Sequence, residues 1–226
     1  MRNFLIVLFC FLLPFLCYSQ EKKIALVIGN SNYLNGAPLS NPENDAIDMA
    51  EQLKSCGFQV QIFVDLDQIE MKKAIDEFGS NLKEAKVSLF FYAGHGMQAK
   101  GRNYLIPIDA KLKTENDVEY NCVEAGRVLG KMEDAVTRTN IIILDACRDN
   151  PFERSWSRKS TGAGLAFMNA PSGTFIAYST APGKTASDGY YRNSPFTAGM
   201  LEHLNTPNLK IEDLFKLVRA KVRERV

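Results

Sequence analysis

Histidine is scarce in this 226-residue sequence, which has only His95 and His203. No CxxC pair occurs either, so the usual ligand sets of a zinc centre are missing. An excess of charge of one sign is also lacking. Lys and Arg number 27 against 26 Asp and Glu, a formal net charge of +1. That balance offers no basic face for nucleic acid or for an anionic membrane surface. Glycine spacings of the phosphate-loop type are absent, which argues against a nucleotide-binding module of flavodoxin type. Internal repeats and low-complexity tracts are absent too.

What is present is a globular composition, 46% hydrophobic and 23% charged, enough for one sizeable α/β core. The one long apolar run is "MRNFLIVLFCFLLPFLCYSQ" at the start. One Arg precedes it, and Cys17 and Ser19 are small residues at minus 3 and minus 1 of a cleavage site, so residues 1–19 are expected to be a secretory signal peptide. A run of about fifteen apolar residues broken by Pro14 is short for a membrane span, which needs roughly 20. The expected mature domain is 22–226, exported to the periplasm or beyond the cell. Removing the leader leaves a neutral chain with Cys56, Cys122 and Cys147. With three cysteines one disulfide at most can form, and at least one thiol stays free unless it pairs between chains.

Along the chain, "KKIALVIGN" reads as a buried strand ending in Gly. In "NPENDAIDMAEQLKSCG", Asn41 can cap a helix, Pro42 suits its first position and Gly57 can close it. "FQVQIF" alternates like a strand, and Asp67 and Glu70 have capping-box spacing at the head of a second helix. "VSLFFYAGHG" is the third strand, "GRNYLIPID" a hairpin or loop, and 122–135 a weaker helical stretch. The strand "NIIILDAC" precedes a long loop over 148–172, the strand "GTFIAYST" and two helices, "SPFTAGMLEHL" and "IEDLFKLVRAKVRERV". Strands alternating with helices predict an α/β fold, a doubly wound, mainly parallel sheet flanked by helices on both faces.

Ligands of such sheets bind beyond the carboxyl ends of the strands. One strand delivers Gly94, His95 and Gly96 there, and another delivers Asp145, Ala146 and Cys147. The glycines let backbone approach a substrate closely, and the Gly96 amide is available as a donor. Thiol, imidazole and backbone amides are the minimum for acyl transfer through a thioester. From strand, turn and cysteine alone, Cys147 reads equally as a buried strand-end thiol. His203, on an amphipathic helix, reads as a surface or packing residue.

The blocks "IALVIGNSNY", "LSNPENDA", "FFYAGHG", "NYLIPIDA", "ILDACRDNP" and "AYSTAPG" resemble, in order, those of the caspase-like cysteine peptidases, metacaspases and paracaspases included. The likeness runs to about residue 203. Cys147 follows His95 by 52 residues, against about 50 in caspases. The resemblance implies His95 as general acid/base, Cys147 as nucleophile, and the Gly96 and Cys147 amides as the oxyanion hole.

The sequence departs from caspases where they bind an aspartate side chain. Asp145 stands where caspases carry Gln, and Asp188 follows "AYSTAPG" where they carry Arg. With Asp45 these acids resemble the floor of a metacaspase or paracaspase pocket for Arg or Lys, because carboxylates pair with a guanidinium and repel an acid. Asp45 also reads as a complement to the helix dipole, and Asp188 as a turn former.

The expected function is thus an endopeptidase cleaving peptide or protein substrates after Arg or Lys. Self-processing at Arg154, Arg158 or Lys159 is a further expectation, against an ordinary solvated loop. No cofactor is required; the acids of "DNPFERSW" leave open the calcium activation known in some metacaspases. The rival reading is a catalytically silent binding module of the same fold.

Overall fold

The computed structural model describes residues 21–147, 165–179 and 191–225. The expected leader, the calcium stretch, the processing sites and Asp188 therefore lie outside the described residues. No helix among the described residues is long and apolar enough to cross a membrane.

Five strands form the parallel sheet: β1 (Lys23–Gly29), β2 (Gln59–Val64), β3 (Val87–Ala99), β6 (Thr139–Cys147) and β7 (Thr174–Tyr178). Their spatial order is β2, β1, β3, β6, β7. The chain moves outward from β1 to β2 and then back past β1 to β3. Two right-handed crossovers in opposite directions lie on opposite faces. Helix α1 (Pro42–Ser55) accordingly packs on one face and α2 (Gln68–Asn81) on the other. The carboxyl ends of β1 and β3 flank the crevice where the winding reverses, and this is where such sheets bind ligands.

Alternation along the strands divides the core. Leu26, Ile28, Phe90, Ile142 and Leu144 meet Met71, Ile75 and Phe78 of α2 and Val128 and Met132 of α4 (Gly126–Asp134). Val27, Phe91 and Ile143 meet Met49 and Leu53 of α1, Phe196 and Met200 of α5 (Pro195–His203) and Leu214 and Val218 of α6 (Ile211–Arg225). Burying one such side chain contributes about 1.5–3 kcal/mol, so the two apolar layers fix which face each strand residue takes.

Helix α2 starts at the predicted capping box: Asp67 accepts from the Glu70 amide and the Glu70 carboxylate from the Asp67 amide. The start of α1 differs from expectation. Asn41 stands at the cap position without a side-chain cap bond, and Ser31 Oγ instead accepts from the Glu43 amide at 3.0 Å. A residue from the end of β1 thus ties down the helix start.

Beyond His95, β3 leaves the parallel sheet and pairs antiparallel with β4 (Arg102–Leu105). Lys100 and Gly101, both with positive φ, make the two-residue turn that this hairpin twist requires. The stretch 122–135 is not one helix. A short helix, α3 (Asn116–Asn121), precedes it, and Val123 and Glu124 form β5, paired to Leu105 and Tyr104, before α4 begins. Cross-strand pairing overrides helix propensity there.

Cys56 and Cys122 are both free thiols, so no disulfide joins them. Cys56 donates to Asn205 Oδ1 at 2.9 Å. Burial, with the charge of Asp109, pushes the Cys122 thiol up to about 12, which keeps it protonated and inert.

Candidate active site

The parallel pairing of β3 and β6 runs in register from Val87 and Thr139 to its last rung, His95 beside Cys147. Neighbouring strands lie about 4.8 Å apart. Two residues 52 positions apart in sequence are therefore direct neighbours at the carboxyl edge.

The bond around His95 begins with Gly94, whose φ of 151° disfavours any side chain. A Cβ at Gly94 would stand 2.7 Å from both the Tyr33 and Tyr92 hydroxyls. Those hydroxyls hold the next residue. The His95 amide donates to Tyr33 Oη at 2.7 Å, and Tyr92 Oη donates to the His95 carbonyl at 2.8 Å, with the Ile106 carbonyl 3.1 Å away. Burial keeps the Tyr92 phenol well above its usual range, so it remains a neutral donor. Gly96 is needed for a different reason: a Cβ there would meet Ala146 Cβ at 2.9 Å and Leu165 at 3.4 Å.

The imidazole is buried and lies 4.5 Å, centroid to centroid, from the tilted Tyr33 ring. Its Nε2 is 2.9 Å from the Ala37 carbonyl. A carbonyl oxygen can only accept, so Nε2 carries the proton and Nδ1 is the basic nitrogen of the neutral ring. Ala37 belongs to the loop from β1 to α1, which is itself anchored. Asp65 accepts from the Ser31 and Asn32 amides at 2.7 and 2.9 Å, and the buried Asn30 amide group bonds the Ile106 carbonyl and the Leu66 amide.

On the face packed against α1 and α5, two buried carboxyl groups come together. Asp45, in the first turn of α1, is 1% exposed, and Asp145, on β6, is 7% exposed. Ser194 joins them: its amide donates to Asp45 Oδ1 at 3.1 Å and its hydroxyl to Asp145 Oδ2 at 2.5 Å. Thr197 Oγ1 donates to the same Asp145 oxygen at 2.7 Å. Burial foremost, then the charge of Asp145, pushes Asp45 up to about 8, against the lowering effect of the Ser194 amide and Asn193. A carboxyl so buried beside another is more than a complement to the helix dipole. Beside the pair, Arg192 grips Asp48 bidentately at 2.8 Å, which holds the Asp48 carboxyl below its usual range.

The structure thus unites His95, Gly96 and Cys147 on adjacent strands, and joins Asp45 to Asp145 through Ser194. Tyr33, Tyr92, Ser194 and Thr197 were not anticipated. "SPFT" carries a helix-cap signal, since Ser194 does cap α5 by accepting from the Thr197 amide, but nothing local says that its hydroxyl also reaches an acid. Among the described residues no group of three or more His, Cys, Asp or Glu side chains is arranged for a metal ion.

A mainly parallel sheet with a histidine and a cysteine on its last shared rung defines a class already met in the sequence, and the comparisons agree. The caspase domain matches residues 22–226, and the chain belongs to that family. It is 34% identical over 128 residues to mucosa-associated lymphoid tissue lymphoma translocation protein 1 of Homo sapiens, and 33% identical over 128 residues to the Mus musculus homolog. These stretches are 57% of this chain and 15% of each relative, so the chain spans a small part of their length. Among solved structures, caspase-1 from Spodoptera frugiperda superposes with a TM-score of 0.67 at 18% identity, covering 89% of this chain and 78% of that one. That likeness is one of fold.

Proposed function

We propose that this caspase-family protein is an exported cysteine endopeptidase that cleaves after Arg or Lys and requires no cofactor. The observation that carries the reading is the shared rung of His95 and Cys147, with a buried carboxyl pair that includes the acid two residues before the cysteine. In the reaction, His95 Nδ1 takes the Cys147 thiol proton and the thiolate attacks the scissile carbonyl. The Gly96 and Cys147 amides donate to the oxyanion, and the imidazolium returns the proton to the leaving amine as the C–N bond breaks. Water, deprotonated by His95, then hydrolyses the thioester. The Ala37 carbonyl supports this cycle by accepting from Nε2–H in both ring states.

Asp45 and Asp145 receive the basic side chain, and Asp188 completes the acidic lining. An acidic side chain there would face two buried carboxyl groups, while the nearby Arg192 is engaged by Asp48. The 148–172 stretch of the sequence offers Arg154, Arg158 and Lys159 as sites of self-cleavage. The test is active-site labelling with a peptide ketone ending in Arg. Labelling of the wild type that is lost in Cys147→Ala supports the peptidase; no labelling at any pH or calcium level supports a silent binding module. If Cys147→Ala is nicked within residues 148–172 as fast as the wild type, another protease makes those cuts.

A further inference from the structure

The hydroxyls of Ser194 and Thr197 both point at one oxygen of Asp145, and each has only one hydrogen to give. Ser194 Oγ already accepts from the Thr197 amide at 3.0 Å, so its hydrogen is committed to Asp145. Two hydroxyl donors on one carboxylate oxygen favour the ionised form. Asp45 has no such pair. It receives the Ser194 amide and the Asn193 side chain, is the more deeply buried of the two, and faces the Asp145 charge. Among the described residues, the other charges near it are Asp48 on its own helix and Arg192 from the 191–194 segment, which pair with each other.

We propose that Ser194 and Thr197 are positioning residues that keep Asp145 ionised and leave a single proton on Asp45, so that the acid pair receives a cationic side chain by releasing that proton. This rests on the reading of the pocket as the site of a basic side chain and adds how it is charged. The balance is simple: the Asp45 carboxyl group loses H+ to solvent, the ligand keeps its own charge, and one guanidinium then faces two carboxylates. A carboxyl raised to about 8 in the free protein is mostly protonated at pH 7 and ionised above 8. Binding of a cation therefore strengthens as pH rises towards 8 and levels off beyond it, by about tenfold per pH unit on the rising side.

Calorimetry on Cys147→Ala tests this with an acetylated tripeptide ending in argininamide, titrated at pH 7 in buffers of different ionisation enthalpy. Release of about one proton per peptide is expected, and none with the uncharged citrulline analogue. Asp45→Asn, which imitates the protonated acid, is expected to abolish the release and to flatten the affinity between pH 6 and 8. Because this variant keeps His95, any proton exchange by the imidazole persists in it and can be subtracted. Adding Thr197→Val to Asp45→Asn is expected to restore a fall in affinity towards pH 6, as Asp145 itself begins to take a proton. Equal weakening at every pH would make Thr197 merely structural and overturn its assigned role. Arg-peptide binding without proton release overturns the proposal and leaves the pocket reading intact. No binding even at pH 9, where both acids are ionised, removes the pocket reading and the proposal with it.

Discussion

Around His95 the contacts come from a glycine, two tyrosines and backbone carbonyls, with Tyr92 only three residues from the histidine it holds. Around Asp45 and Asp145 they include a single segment, Asn193 to Thr197, whose Ser194 lies 149 and 49 residues from the acids it joins. The first region is a neutral, geometrically over-determined strand end; the second is two carboxyl groups in a low-dielectric setting, held by donors of Asn193, Ser194 and Thr197. Position is what the strand end supplies to the proposed chemistry, and charge is what the acid pair supplies. Damage to one should leave the other measurable.

The largest effect should follow from removing the dyad. Cys147→Ala and His95→Ala are each expected to cut kcat/KM by about 10³-fold or more, while the Arg-peptide affinity measured by calorimetry stays within a few-fold. Asp145→Asn should instead weaken Arg-peptide affinity, and with it kcat/KM for Arg substrates, by about 100-fold through loss of a desolvated charge pair. Alkylation of Cys147 by a small uncharged reagent should continue at its original rate. Gly94→Ala forces a side chain into a left-handed backbone and against two hydroxyls. A cost of about 1–3 kcal/mol is expected, read as a lower Tm together with slower alkylation of Cys147. Smallest is Asp67→Ala at the head of α2, remote from both regions, which should cost about 1 kcal/mol of stability and leave both peptide affinity and kcat/KM unchanged.

The two regions also differ in how readable they were. His95, Gly96 and Cys147 were legible because strand punctuation and chain order bring them to one sheet edge, and the parallel register carries them the rest of the way. The capping box at Asp67 was equally legible, being local. Asp45 and Asp145 were legible only as acids matching a family pattern. Their partners Ser194 and Thr197 were not, because a hydroxyl that caps a helix looks the same in sequence whether or not a distant carboxylate is near. The cap of α1 failed in the same way: Asn41 has the right residue type, but Ser31 from the end of β1 makes the bond. The stretch 122–135 misled because its break depends on β4, which a helical period cannot report.

The account rests most heavily on a buried acid pair selecting a basic side chain beside the Cys147 and His95 rung. The most direct measurement is kcat/KM for fluorogenic peptides identical except for Arg, Lys, citrulline or Asp at the cleavage position. The account predicts turnover with Arg and Lys that disappears in Cys147→Ala, with citrulline at least about tenfold slower and Asp not cleaved. Cysteine-dependent cleavage after Asp, or equal rates for Arg and citrulline, would contradict it.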